Sequence, residues 1–300
     1  MARTDVLTTA KRIRRHVSSS HRQEDLVLLA SVSSSDTTWT FTSAPPNSLQ
    51  PGTLLACELE LVRVVSVNTT TNAAVVLRGY LDSVAVAHAA LVLAEVSPRF
   101  SLLDVYDQMQ SELDSWSPAL YYPTSTELSV ATTAATVELP ATAIGCLGII
   151  DIRQSDSNDD VIRWPRIPAR LIRGSVAEFS AAPTSGLLLR LLEPVRTGTL
   201  YVTWAMPYAS ASMGIADDLV TNTHLENSML DVLEMGTARR LMHNSDYARS
   251  ARQAQDEARR TVETPVSATL APQQYDLALY IRRKTEEANR LRRLYPLRLV

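Results

Sequence analysis

The sequence predicts an α+β protein: a small curved β-barrel-like domain, then a β-sandwich, then a helical C-terminal region. Three patterns carry that expectation. Residues 54–80 form two apolar runs of period-two character joined by a Thr/Asn cluster, which reads as a long β-hairpin. Residues 127–206 break into short strand-like runs, about ten residues apart, separated by Pro, Gly, Asp and Ser. After Pro207 the apolar residues recur at helical spacing to the end. The expected boundaries are a basic N-terminal arm at 1–24, the barrel-like domain at 25–100, a connecting helix at 101–118, the sandwich at 119–212 and the helical region at 213–300.

Residues 4–17 suit a short basic helix with Val6, Leu7, Ala10, Ile13 and Val17 on one side and Lys11, Arg12, Arg14 and Arg15 beside them. It reads either as an arm that grips a neighbouring subunit or DNA, or as a frayed terminal helix with a solvated basic face. Residues 26–32 and 38–42 flank a Ser33–Asp36 turn and read as a first hairpin. In the long hairpin, Leu55, Cys57, Leu59 and Leu61 share one face and Glu58 and Glu60 the other. After Leu61 the phase slips to Val62 and Val64, which predicts a β-bulge and a strand bent toward a barrel. With the run at 91–96, about five strands cover this domain.

Ser101 and Asp104 are placed to cap a helix whose Leu102, Val105, Tyr106, Met109, Leu113 and Trp116 line one face. Strands are expected at 127–131, 136–139, 146–152, 161–164, 170–175, 187–192 and 200–206. Thr223 and Glu226 read as a capping box ahead of Leu225, Met229, Val232 and Leu233, with Gly236 allowing a second helix to approach closely. Residues 244–261 are polar, a helix that needs partners for stability. The last helix is expected from Pro272 to Tyr295, about 36 Å long. Leu277, Tyr280, Ile281, Ala288, Leu291 and Tyr295 form its apolar side, interrupted by Lys284; Arg282, Arg283, Glu286, Arg290 and Arg293 form the opposite side.

Composition excludes several classes. With 29 basic and 32 acidic residues the chain has no overall bias toward nucleic acid or membrane. Lys11 and Lys284 are the only lysines, so arginine carries the positive charge, as a GC-rich genome would produce. Cys57 and Cys146 sit in apolar runs and read as free buried thiols. No apolar run reaches the roughly 18 residues of a membrane span, and the first residues lack a signal-peptide core. The histidines His16, His21, His88, His224 and His243 show no metal-ligand spacing, and neither a nucleophile elbow nor a phosphate-cradling glycine loop occurs. No catalytic residue, metal or cofactor is expected, and the chain does not read as an enzyme. Residues 151–160, DIRQSDSNDD, offer carboxylates without the spacing or central glycine of a calcium loop and read as a solvated turn. Trp116, Tyr121 and Tyr122 suit hinge packing, or else a sugar site.

The succession Glu58, Val62, Val75, Leu77, Arg78, Gly79, Ala85, Ala87 and His88 resembles a pattern in virion proteins of tailed bacteriophages, from the head-to-tail connector or neck. Residues 81–84 depart from it, with Leu81, Asp82, Ser83 and Val84 where a Gly-Thr pair is expected. The resemblance covers mainly residues 25–100, with some support from 282–296. It implies a structural virion protein, assembled in the host cytoplasm and located at the head-tail junction, that forms a ring, dodecameric like the portal, around the DNA channel. Portal protein and other neck or tail proteins are the implied partners, with non-specific contact to packaged DNA and no membrane. On this reading Arg282, Arg283, Arg290, Arg292, Arg293 and Arg298 meet portal or DNA, and Leu277, Ile281, Leu291 and Tyr295 pack between subunits. Contacts of that kind position a duplex without reading its sequence. The alternative is a tail or baseplate protein whose sandwich binds a glycan.

Overall fold

A computed structural model describes residues 5–18, 24–130, 135–155, 165–174, 185–193, 195, 197–208, 213–214, 217–257 and 267–297, with the backbone alone for 244–257 and 267–273. The chain is α+β and divides into two compact units: Met1–Glu112 with Met213–Leu219 and Leu230–Leu277, and Leu113–Ser212 with Val220–Met229 and Ala278–Val300.

In the first unit the helix α1 (Val6–Val17) is capped by Asp5, whose carboxylate accepts from the Thr8 amide at 2.6 Å. Six strands follow, β1 (Glu24–Val27), β2 (Thr38–Thr40), β3 (Leu54–Cys57), β4 (Glu60–Asn68), β5 (Ala73–Leu77) and β6 (Leu93–Val96). They form one antiparallel sheet in the order β1-β6-β3-β4-β5-β2. The sheet curls until its outer strands meet: the Leu29 amide donates to Thr40 O at 2.8 Å and the Thr42 amide to Val27 O at 2.9 Å. Inside lie Leu26, Leu28, Trp39, Phe41, Leu55, Val62, Val64, Val76 and Val96. The two runs expected as a hairpin at 26–42 do pair antiparallel, with Leu28 opposite Phe41 and the turn closed by the Asp36 amide on Ser33 O, and this pairing is what joins the two edge strands of the sheet.

The long hairpin differs from expectation at its start. The chain reverses at Glu58 and Leu59, with Glu58 at φ 54°, and Cys57 pairs with Glu60 across this turn. The slip in apolar phase therefore marks a tight turn between two strands and not a bulge within one. A register irregularity does occur further on, between Val64 and Ser66 opposite β5. The Thr/Asn cluster does form the β4–β5 turn, where the Asn68 side chain accepts from the amides of Thr70 and Thr71.

The helix α2 (Leu102–Asp114) opens on the expected capping box: Ser101 Oγ accepts from the Asp104 amide at 3.0 Å, and the Asp104 carboxylate accepts from the Ser101 amide at 2.9 Å. Its Leu102, Val105, Met109 and Leu113 are buried. The helix α3 (Leu219–Thr223) is short, and α4 (Leu230–Glu257) is long. Thr223 ends α3, with His224 after it at φ 57°, so it does not cap α4 as the sequence suggested. The buried stripe of α1, Val6, Ala10 and Ile13, packs on α4. Gly236 of α4 faces Glu112 of α2 so closely that an added Cβ would lie 2.4 Å from its carboxyl group. That carboxylate is fully buried and takes the Arg240 Nε–H at 2.5 Å.

The second unit holds β7 (Tyr122–Val130), β8 (Thr136–Glu138), β9 (Gly148–Gln154), β10 (Ala169–Arg173), β11 (Leu187–Leu191) and β12 (Gly198–Met206). They form two three-stranded antiparallel sheets, β7-β12-β9 and β10-β11-β8. Ile149, Ile152, Leu200, Val202 and Trp204 from one meet Val137, Leu189 and Leu191 from the other in a single core. The strand expected at 161–164 lies outside the described residues. The last helix, α5 (Ser267–Leu294), begins five residues before Pro272, and from Ala278 onward it belongs to this unit, burying Tyr280, Ala288 and Leu291. Lys284, set into its apolar side, is accommodated over the Tyr280 ring, 5.6 Å from its centroid.

Gly236→Ala should destabilise the first unit by about 1–3 kcal/mol despite the better helix propensity of alanine, because the methyl group displaces a buried, ion-paired carboxylate. Urea unfolding of the two proteins checks this; equal stability would mean that α2 has room to retreat.

Candidate functional site

The densest polar chemistry in the first unit sits at one end of the curled sheet. Glu60, the first residue of β4, follows the Glu58–Leu59 turn and points inward, fully buried. A buried carboxylate is tolerated only with partners, and Glu60 has five donors. Arg78 offers Nε at 2.9 Å and Nη2 at 2.5 Å, a two-pronged pairing. His88 Nε2 lies at 2.9 Å, the Val86 amide at 3.2 Å and the Gly79 amide at 3.3 Å.

Arg78 stands just past the end of β5 and spends its remaining donors on backbone carbonyls. They reach Val86, Ser33 and, at 3.4 Å, Asp36, so one guanidinium ties two loops to Glu60. It also lies 5.3 Å from the centroid of the Trp39 ring, whose neighbour at 5.6 Å is the edge-on imidazole of His88. Gly79 has φ 60°, and a Cβ there would come within 3.1 Å of Ser83 O, so glycine suits this position. His88 is held by backbone bonds to Val32 in both directions, at 3.0 and 2.9 Å. Its second nitrogen, Nδ1, lies 3.0 Å from the Glu58 carboxylate. With a carboxylate on each nitrogen, the ring donates from both and carries a positive charge.

Burial alone would raise the Glu60 pKa, but hydrogen bonds from Arg78, His88 and Val86 outweigh it and bring the group from 4.5 to about 2. Burial likewise works against the charged imidazole, yet hydrogen bonds to Glu60 and Glu58 lift His88 above its ordinary 6.5. The neighbouring Cys57 thiol is pushed up to about 12 by burial and then by the Glu58 and Glu60 charges, so it is no nucleophile.

Beside this network is a cleft of about 660 Å³. Lys11, Arg14, Arg15 and Ser18 of α1 form one wall, Leu91–Leu93 the floor, and Glu58 and Glu95 stand opposite. Arg14 is paired with Glu95. Lys11 and Arg15 are exposed, and neither has an ion pair among the described residues. Glu58 thus has one side toward His88 and another toward the cleft.

The six arginines singled out in the sequence fall into separate groups. Arg290 pairs with Glu287 at 2.6 Å and with Glu226 at 2.5 Å. Arg283 pairs with Glu286 and Glu287 and donates to Ser228 O at 3.0 Å. Arg282 is exposed and pairs with Glu286 along the helix at 2.9 Å. Arg292 and Arg293 are exposed without an ion pair among the described residues, and Arg298 lies outside those residues. Of the apolar set, Leu291 is buried and the Tyr295 carbonyl accepts from the Tyr121 hydroxyl at 2.8 Å, whereas Leu277 and Ile281 are exposed.

Trp116 and Tyr121 are buried and offer no ring face to a sugar; Tyr122 stacks on His224 at 4.5 Å. Asp151 is engaged by Arg153 at 2.6 Å and Arg166 at 3.3 Å, and residues 156–160 lie outside those described. Among the described residues no group of three or more His, Cys, Asp or Glu is placed to hold a metal ion, and no helix is long and apolar enough to cross a membrane.

Sequence reasoning had set Glu60 beside Glu58 on a polar face and so missed the centre of the network. The usable signal was the set Glu58, Arg78, Gly79 and His88, which the fold brings together around it. Comparison of the sequence with protein-family models and with curated proteins finds no match.

Glu60→Gln leaves Arg78 and His88 buried without their counter-charge and should cost about 3–5 kcal/mol in urea unfolding. Glu58→Gln, at a carboxylate 46% exposed, should cost less than about 1 kcal/mol. A comparable loss in both would mean that Glu60 is not the centre.

The pH dependence has two limbs. Glu60 has a depressed folded pKa, so its contribution is present above pH 4.5 and lost as pH falls from there toward about 2. His88 has a raised one, so its contribution is present below 6.5 and lost as pH rises through the elevated folded value. His88→Gln should therefore flatten the alkaline limb of unfolding midpoint against pH and shrink the acid limb without abolishing it, because Arg78 and the Val86 amide still hold Glu60 low; an unchanged alkaline limb refutes a charged His88.

Proposed function

We propose that this chain is a structural virion protein of a tailed bacteriophage, a ring-forming subunit at the head-to-tail interface with no catalytic role of its own. The observation that carries this reading is the incomplete burial of α5. The helix is anchored by its buried Tyr280, Ala288 and Leu291, yet it leaves Tyr275, Leu277, Leu279, Ile281 and Leu294 exposed to water. Arg292 and Arg293 lie at the same end as Leu294 with their charges unmatched among the described residues. A helix whose apolar stripe is only partly covered, and whose last turn carries cations without a counter-charge among the described residues, suits a protein or nucleic-acid partner.

The second support is that Glu58, Arg78, Gly79 and His88, four of the residues carrying the resemblance to neck proteins, build one joint in the barrel. A resemblance concentrated in a structural joint fits a scaffold. In this reading the ring follows the portal's order, the exposed arginines of α5 face the portal or the packaged DNA, and other neck or tail proteins bind elsewhere on the ring. Individually weak contacts become durable when many copies act together.

Removing α5 entirely is a poor test, because from Ala278 onward it is part of a folded unit. The double variant Arg292→Glu/Arg293→Glu alters exposed groups only. Negative-stain images should show closed rings of the unaltered protein, alone or with portal. The variant should keep its circular dichroism spectrum and bind portal rings about tenfold or more weakly, since each 1.4 kcal/mol is a factor of ten. Monomers under all conditions, or unchanged attachment of the variant, would refute the assignment.

A further inference from the structure

We infer that the cleft between α1 and β6 receives residues 156–164 of a second copy of this chain, an acidic stretch followed by apolar residues. This rests on the ring reading above, which requires a contact that passes from copy to copy.

The cleft specifies its occupant. Its cationic wall has charge to spare, because Arg14 is committed to Glu95 whereas Lys11 and Arg15 are exposed and without an ion pair among the described residues. Its floor is apolar and open: Leu91 is 71% exposed and Leu93 52%. Leucines at that exposure, under two unmatched cations, fit an occupant carrying carboxylates and apolar side chains close together. The volume of about 660 Å³ lies in the range that encloses a ligand of a few residues. The opposite wall carries Glu58, whose carboxylate is 46% exposed, so the occupant needs a cation there as well.

The chain itself contains such a segment. Asp156, Asp159 and Asp160 are followed by Val161, Ile162, Arg163 and Trp164, and no other five-residue stretch of the sequence holds three carboxylates. The carboxylates match Lys11 and Arg15, the apolar side chains match Leu91 and Leu93, and Arg163 matches Glu58. A segment on one surface entering a cleft on another is a heterologous contact, and heterologous contacts close into rings when the rotation between neighbours divides the circle. A self-complementary patch would stop at a dimer.

Lysine is so scarce here that a zero-length carbodiimide coupling reads the contact directly. The full-length protein is prepared as an equal mixture of unlabelled and ¹⁵N-labelled chains, coupled, digested and analysed by mass spectrometry. Lys11 should be joined to Asp156, Asp159 or Asp160 in pairs of mixed label. Arg15→Glu should lower the yield about tenfold by placing like charges together, and Arg15→Glu combined with Asp159→Lys should restore it. No such link, or links of a single label only, overturns the proposal. If rings form but the link is missing, the docking fails and the neck reading stands. If mixed-label links appear without rings, the docking stands and the neck reading fails.

Discussion

Everything at the closed end of the barrel depends on one carboxylate. Glu60 sits where water cannot reach it, and an isolated charge there would be neutralised or expelled. The answer is a cage of donors drawn from distant parts of the chain: Arg78 past β5, His88 ahead of β6, and the amides of Gly79 and Val86 between them. Because Arg78 also binds carbonyls of the Ser33–Asp36 turn, the loops that no strand pairing would fix are fixed by charge. An apolar plug would supply similar burial without direction. Shifting β4 by one residue against its neighbours would turn Glu60 out of the cage and leave Arg78 and His88 facing each other unneutralised, so the ionic centre penalises slipped registers that hydrophobic packing alone would tolerate.

Glu58 carries this centre outward. Its left-handed backbone at φ 54° makes the reversal from β3 into β4, and the same residue places a carboxylate between His88 and the cleft beside α1. The cleft is therefore not an accident of loop packing. One of its walls is set by the barrel's ionic centre and the other by α1, which is held in turn by Asp5 at its start and by its buried stripe on α4. Leu81 and Asp82, just past the Arg78–Gly79 pair, adopt φ 54° and 61°, the region a glycine enters freely. The loop keeps the turn by strain, and Ser83 Oγ, bonded to both the amide and the carbonyl of Leu61, holds it down.

What the sequence made legible was local. The Ser101–Asp104 capping box, the Asn68 turn, the stripe of α1 and the close approach at Gly236 depend on neighbours a few residues away or on a missing side chain, and each is visible in the order of residues. Glu60 was not legible, because alternation says which residues share a face and not which face is covered; two glutamates in period-two spacing look alike until the turn between them is known. That turn was hidden as well, since Glu58 and Leu59 are neither glycine nor asparagine, the residues that usually announce a left-handed position. Thr223 and Glu226 have capping-box spacing, but Thr223 closes α3 and His224 after it turns left-handed at φ 57°, a reversal that the residue type does not announce. The start of α5 at Ser267 likewise runs through Pro272, where local reasoning begins the helix.

The same distinction sorts the arginines of α5. Reading the helix as a stripe treats its cations as equal, yet Arg283 and Arg290 each hold carboxylates in fixed geometry, whereas Arg292 and Arg293 hold none among the described residues. For a paired guanidinium to meet a phosphate it must give up charge-assisted hydrogen bonds, each stronger than a neutral one, and leave the buried Glu287 with one of its two counter-charges. An unpaired, solvated guanidinium gives up only water. In a neck ring, contact with DNA would then come from a small number of cations per subunit, repeated around the circle. On the proposed neck reading that arrangement would give each subunit a shallow dependence on salt, at a slope of about 0.9 per phosphate neutralised, and no preference for sequence, as a channel that holds a duplex and still lets it pass would need.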